Sequence, residues 1–421
     1  MEMDSIKKYQ LILTTLFAIA CIVYLVVIYA FDVATEIMKY RFVDADALFN
    51  GIPMDTECPP FAIFFIAIPR IFSADPFGYN VGYIVLVFVF FIIGLHFVNL
   101  LTKFYQKDQK KMMLIYTVLM LILFEFVVDR YDVFAIVLTL IAVYFFVTKK
   151  YVWAFVILSL GMMTKLYPAI LFPIFLTPLI INKDWKNALT GIVAFVVVAL
   201  AVVGVVLLID SGTISYFISY HSDRPLQIES VAASFIYPFK MLGLTDAWID
   251  NGFGSDNLSG PLPDAVASVL TPLMLILILF TYPIFIFLYK KVKGAGTRNV
   301  FFGAAIVFII LLFIIVGKVF SAQYLLWIIA PMIFIFLTDI DTKTKHNLFW
   351  LTVIIFIMTQ INFAYSIGYL GGGSNIDDFG MMIVLARNIL TIILLYFIGR
   401  VVYDRYKTSP ETASDKMRAQ D

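Results

Sequence analysis

The sequence predicts an all-α polytopic integral membrane protein with about twelve transmembrane helices. The 421 residues are 62% hydrophobic and only 14% charged, and mean hydropathy is +0.96. A soluble domain sits near about 45–50% apolar. Apolar runs of membrane-spanning length recur from end to end, so the excess is not one large core. These runs do not alternate apolar with polar residues, which argues against a transmembrane β-barrel.

The runs fall at 10–30, 79–101, 112–128, 133–148, 151–164, 166–182, 187–209, 265–289, 299–317, 320–338, 347–367 and 380–400. The first is too long for a signal-peptide core and lacks a small-residue cleavage site, so it is expected to remain as a helix. Lys and Arg cluster on every second loop: Lys7 and Lys8, Lys103 to Lys111, Lys149 and Lys150, Lys183 and Lys186, Lys290 to Arg298, Lys343 and Lys345, Arg400 and Arg405. The positive-inside rule then places these loops and both termini in the cytoplasm. A multi-pass plasma-membrane protein is expected, with one transmembrane domain over 1–407 and a polar cytoplasmic tail at 408–421. Its outer side holds a first loop at 31–60 and a long loop at 210–264. Segment 59–72, apolar but short and flanked by proline, reads as an interfacial helix.

A net charge of +1 implies no nucleic-acid partner. Cys21 and Cys58 lie far apart in sequence, and Cys21 sits inside the first apolar run, so no disulfide framework is expected. Zinc patterns and nucleotide fingerprints are missing, and "DNGFGSDN" (250–257) lacks the spacing of an EF-hand loop. No metal or other cofactor is expected. Stretch 242–264 reads as a loop, and Asn257-Leu258-Ser259 within it fits the glycosylation acceptor pattern.

Polar residues concentrate on the expected outer side. They are Glu36, Asp44, Asp46, Asp55, Glu57, Asp129, Arg130, Asp132, Lys165, His221, Arg224, Glu229, Lys318 and Gln323. The densest stretch is "YHSDRPLQIES" at 220–230. Spans 112–128 and 133–148 reach roughly 24 Å as helix, against roughly 30 Å of hydrocarbon. The pair 151–164 and 166–182 is shorter still, so either the turns "DRYD" (129–132) and "TKLYP" (164–168) lie below the outer surface or one member of each pair is re-entrant. Charged turns at that depth need a protein-lined cavity, which puts Asp129, Arg130 and Lys165 in a pocket. In the first outer loop a helix over 33–49, ended by Asn50-Gly51, places Glu36, Tyr40 and Asp44 on one face. A carboxylate there could serve as a general base, although solvated acids are the simpler reading. Lys318 either neutralises a phosphate or snorkels to headgroups. Arg387, inside the last span, either serves a site or pairs with a carboxylate such as Glu125.

Several stretches together resemble one family. "GIPMDTECPPFAIFFIAIP" (51–69) is similar to its G-x-x-P-Y-x-D-x-x-E-Y-P-P region and "RYDVFAIVLTLIAVYFF" (130–146) to its R-Y-D segment. "MMTKLYPAILFP" (162–173) resembles its K-x-Y-P motif, "RPLQIES" (224–230) its R-G-L-Q-I-E-S, and "GKVFSAQYLLW" (317–327) its G-K-x-x-S-P-Q-Y-L-L-W. The family is the polyprenyl-phosphate-mannose-dependent mannosyltransferase-like branch of the GT-C glycosyltransferases. The resemblance implies a GT-C membrane fold with a non-cytoplasmic active site. A hexose, mannose by resemblance, would pass from a polyprenyl- or dolichyl-phosphate donor to a lipid or glycan acceptor with inversion. Glu36 stands where the family carries its catalytic Asp, with Asp44 as the second candidate. Lys165, His221, Arg224, Gln227, Glu229, Lys318, Gln323 and Arg387 would bind the donor's phosphate and sugar, with Arg224, Lys318 and His221, and Lys165 or Arg387, stabilising the phosphate and Glu229 and Gln227 either orienting a sugar hydroxyl or holding Arg224. Tyr40, Asp55, Glu57, Asp129, Arg130 and Asp132 would support the site. This chain departs from the pattern at Glu36 for Asp, Pro225 for Gly, Ala322 for Pro and Cys58 for Tyr. Two rival readings are a secondary transporter, which would place polar sites at the midplane between repeats, and a catalytically inactive lipid-binding protein.

Overall fold

Long uninterrupted apolar runs fold as long helices. In the computed structural model, which describes residues 2–366 and 377–407, seven helices are long and apolar enough to cross a membrane. They are Asp4–Ala30, Pro76–Phe104, Trp185–Ile209, Pro261–Lys291, Ala295–Val316, Thr342–Ala364 and Asp378–Lys407. The protein is thus an all-α polytopic membrane protein, its only described sheet being one two-stranded hairpin. The other five expected runs form shorter pieces. Run 112–128 breaks at Leu123 into Gln109–Ile122 and Phe124–Val128. Runs 133–148 and 151–164 are helices Asp132–Val147 and Tyr151–Thr164. Runs 166–182 and 320–338 each begin as a 3₁₀ turn, Tyr167–Leu171 and Ala322–Ile328, before continuing as helix. Segment 59–72 contains helix Ala62–Phe72. The expected tail at 408–421, and most of the expected outer loop at 368–379, lie outside the described residues.

The chain packs as two compact units. The first comprises 1–172 with 184–222, and the second 173–183 with 223–421. Stacked rings hold the first: Phe17 lies flat on Phe91 at 3.9 Å between centroids, and Phe65 on Phe134 at 4.4 Å. Helices Asp132–Val147 and Tyr151–Thr164 pack closely, joined by a turn in which Lys149 takes a φ of 62°. This tight return brings Asp132, at the start of the pair, beside Lys165, just past its end.

In the second unit, helix Asp378–Lys407 packs against Ala295–Val316 and Thr342–Ser366. Stretch 242–264, expected to be a loop, instead contains the hairpin Trp248–Gly252 with Ser255–Ser259. Its connection is Phe253-Gly254, with φ of 56° and 63°. Two successive positive φ values are what a two-residue hairpin turn of matching twist requires. The hairpin then pairs with the polar stretch: Leu258 N–H donates to Leu226 C=O at 2.9 Å, and Ile228 N–H to Asp256 C=O at 3.1 Å.

Candidate active site

The first unit gathers acids and bases from four segments. Residues Ile37–Arg41 form a π-helical turn and Phe42–Phe49 continues as α-helix, ending at Asn50 and Gly51, whose φ is 65°. The helix expected over 33–49 is therefore present, but the wider π turn changes which residues share a face. Tyr40, expected beside Glu36 and Asp44, is 48% exposed, whereas Arg41 is 2% exposed. Arg41 Nη1 donates to Asp44 Oδ2 at 2.9 Å and contacts Cys58 Sγ at 2.8 Å, while Nη2 pairs with Glu57. Thr56 Oγ1 also donates to Asp44 Oδ2, at 2.8 Å.

Glu36 sits in a different set. Its carboxylate pairs with Arg130. The Asp129 carboxylate accepts from the Glu36 and Ile37 N–H groups, both at 3.1 Å, and so anchors the start of the π turn. Arg130 Nε is buried with no hydrogen-bond partner. Lys165 Nζ reaches Asp132 Oδ2 at 3.1 Å and lies 4.1 Å from the Tyr131 ring centroid, with Arg41 5.5 Å from the same ring. His221 Nε2 lies 3.1 Å from the Glu57 carbonyl oxygen. Asp46 pairs with Arg70 at 2.9 Å, and Asp55 is exposed.

These carboxyls are poised differently. Burial raises the Asp44 carboxyl to about 6, against the opposing charge of Arg41. Burial also raises that of Glu36, with Arg130 opposing. At Glu57, burial acts upward but the charge and hydrogen bond of Arg41 prevail, and its carboxyl is lowered. The Cys58 thiol is pushed by burial to about 12, so it stays protonated. A raised carboxyl next to fixed cations is the arrangement a general base needs near neutral pH.

The second unit holds the other expected residues. Gln227 N–H donates to the Lys318 carbonyl and its Nε2 to Ser321 Oγ, both at 3.0 Å. Arg387, fully buried, pairs with Glu229 rather than Glu125: Nη1 lies 3.4 Å from Oε1, and Nη2 donates to the Glu229 carbonyl at 2.9 Å. Asn388 Nδ2 grips the same turn through the Glu229 carbonyl, at 3.1 Å, and Ser234 Oγ, at 2.9 Å. Asn362 Nδ2 donates to Glu229 Oε1 at 3.0 Å. Arg224 is held by Ser255 Oγ at 3.0 Å and the Phe253 carbonyl at 3.4 Å. Burial, then the nearby charge of Arg224, lowers the Lys318 ammonium. Gln323 lies two residues beyond Ser321, in the 3₁₀ turn.

Four participants escaped the reading of the sequence. Arg41 is marked only by standing three residues before Asp44, a spacing at which helical side chains meet. Tyr131 was available as the middle of R-Y-D. Asn362 and Asn388 are amides inside apolar runs, where a polar side chain needs a partner. The glycosylation reading fails on geometry: Asn257 is 1% exposed, and its Nδ2 donates to Gly252 and Ser255 carbonyls at 3.0 and 3.1 Å.

An all-α fold with seven membrane-length helices among the described residues defines a polytopic membrane protein, and its first unit holds half-buried carboxylates paired with arginines. Compared with known protein families, residues 58–316 match Glycosyltransferase family 87. That stretch is more than half of the chain, and the chain belongs to this family of glycosyltransferases. It includes Asp129, Arg130, Asp132, Lys165, His221, Arg224, Gln227 and Glu229; Glu36, Asp44, Lys318 and Arg387 lie outside it. No curated protein matches the sequence.

Proposed function

We propose that this glycosyltransferase moves a hexose, mannose in the first instance, from a polyprenyl- or dolichyl-phosphate donor to a lipid or glycan acceptor. We place the reaction in a GT-C-type fold on the non-cytoplasmic face of the plasma membrane. The family match carries the transferase part of this reading. A lipid-borne donor is favoured because the chain is mostly membrane helix and has no nucleotide fingerprint. The resemblance of 224–230 and 317–327 to the mannosyltransferase motifs favours the sugar.

In this reading Glu36 takes the proton of the acceptor hydroxyl as that oxygen attacks the anomeric carbon from the face opposite the phosphate. The C–O bond to the lipid phosphate breaks, the configuration inverts, and lipid phosphate leaves with the electron pair. Glu36 is preferred to Asp44 because its side chain is 26% exposed against 15%, and because Arg41 and Thr56 both hold the same oxygen of Asp44. A positioned base typically contributes about 10²–10⁴-fold. The resemblance of 224–230 and 317–327 to the family's motifs assigns Arg224 and Lys318 to the donor phosphate, and on that ground Arg224→Ala and Lys318→Ala should each lower turnover by about tenfold or more, about 1.4 kcal/mol.

The deciding experiment supplies purified protein with radiolabelled polyprenyl-phosphate mannose and a membrane lipid extract. A labelled product is expected with the wild type and not with Glu36→Gln. Transfer from a sugar nucleotide, with none from the lipid donor, would refute the donor class.

A further inference from the structure

The turn between helices Asp132–Val147 and Tyr151–Thr164 borders a cleft of about 620 Å³, walled by Phe145, Lys149, Lys150, Tyr151, Trp153 and Asn187. The cleft lies wholly within the first unit. It is remote from the candidate active site, since Asp132 and Lys165 mark the opposite end of the same helix pair, about 21 Å away along Tyr151–Thr164. Backbone bonds fix its edge. Lys150 N–H donates to the Phe145 carbonyl at 2.8 Å and Lys149 N–H to that of Phe146 at 3.0 Å, the paired bonds that close a helix end. Both lysines are exposed, and the Lys150 ammonium lies 5.9 Å from the Phe145 ring centroid.

The chemistry of the lining selects an occupant. Two ammonium groups and no carboxylate line the cleft. Asp184, which caps the neighbouring helix Trp185–Ile209, is spent on Asn187, accepting from its N–H at 3.4 Å and its Nδ2 at 2.8 Å. An anion is therefore favoured, and lysines neutralise a phosphate as point charges. A free phosphate would leave the rest of the lining unused. Trp153 is 59% exposed, and Tyr151 stands beside it; such amphipathic rings sit at headgroup level in a bilayer. Cationic and aromatic surface meeting at one end of two apolar helices fits a phosphate attached to acyl chains. A zwitterionic lipid would bring its own ammonium towards Lys149 and Lys150, so an anionic one fits better.

We propose that this cleft binds the headgroup phosphate of an anionic glycerophospholipid, with Lys149 and Lys150 on the phosphate and Trp153 at the level where the acyl chains begin. Basic pockets between membrane helices hold anionic headgroups in this way. The bound lipid ties the turn of a short helix pair to the headgroup layer, and the site depends on neither the sugar donor nor the choice of base.

Thermal unfolding of the purified full chain in a neutral detergent, titrated with phosphatidylglycerol, phosphatidylcholine or inorganic phosphate, tests this. Phosphatidylglycerol should raise the unfolding temperature saturably, and the other two should not match it at tenfold higher concentration. Lys149→Asn combined with Lys150→Gln should raise the half-saturating concentration at least tenfold; asparagine tolerates the positive φ of position 149. Lys149→Arg with Lys150→Arg should keep the response. So should Lys110→Gln with Lys111→Gln, which removes the same charge from the start of helix Gln109–Ile122. Each shift is read from the variant's own lipid-free midpoint, so a change in basal stability does not mimic the effect. Equal responses to the two lipids would overturn the proposal, as would loss in the arginine variant. Equal losses at 149–150 and at 110–111 would also overturn it, since they mark diffuse attraction to a basic surface. A response to inorganic phosphate equal to that to phosphatidylglycerol would remove the lipid as occupant.

Discussion

Glu36 and Asp44 stand eight residues apart, yet their carboxylates are held by different cations, Arg130 and Arg41. That separation makes them distinguishable by pH. A base must be ionised, so kcat/KM falls as pH drops through its carboxyl. With Glu36 as base, the acid limb lies above the ordinary glutamate range, because burial raises that carboxyl. Glu36→Gln should then cost at least about 100-fold in turnover, Glu36→Asp should retain activity, and Asp44→Asn should leave the limb in place. A limb near 6 that vanishes in Asp44→Asn would move the base to Asp44, whose carboxyl burial raises to about 6. Arg41 gives a stability prediction. Replacing it with Ala leaves Asp44 and Glu57 without their shared cation, a loss of about 3–5 kcal/mol for a buried pair. Arg41→Lys should recover part of this, because one ammonium cannot reproduce the forked contacts. Thermal unfolding in detergent measures both.

Elements position these residues by where they end. The Asp132–Val147 and Tyr151–Thr164 pair carries an ion pair at its mouth because two helices of similar length return through a tight turn. A π turn at Ile37–Arg41 swaps Tyr40 for Arg41 on the inner face. Both helices were foreseeable from hydropathy, but a π turn leaves no pattern in a single sequence. The hairpin at 248–259 makes the third prediction. Because Asn257 is spent on backbone carbonyls inside it, expression in a glycosylating host should yield protein without a glycan at that position. A glycosidase-sensitive shift abolished by Asn257→Gln would show that the hairpin opens during synthesis.

For the whole molecule, the regular alternation of Lys and Arg clusters supports cytoplasmic termini, as proposed above. Single cysteines at 220 and 295, labelled with a membrane-impermeant reagent on intact cells, test it. Position 220 should react and 295 should not; the reverse would invert the topology. Seven helices exceed the hydrocarbon thickness, while the shorter ones fall below it: 16 residues of Asp132–Val147 rise about 24 Å. Charged turns at their ends are therefore tolerable where protein surrounds them, and Asp132 is fully buried and paired with Lys165, which lies over the Tyr131 ring.

Membrane class, the long helices and the candidate acids could all be read from residue order, because hydropathy and charge are local properties summed along a chain. Pairing could not. Arg387 has Glu229 as its partner across 158 positions, Asp129 caps Glu36 across 93, and Asn362 meets Glu229 across 133. Each was settled when packing brought distant segments together, since a buried charge or amide takes whichever complementary group the fold leaves within reach. The hairpin at 248–259 followed the same logic: its polar strands carry little apolar alternation, and its pairing with Leu226 and Ile228 comes from backbone groups that every sequence possesses.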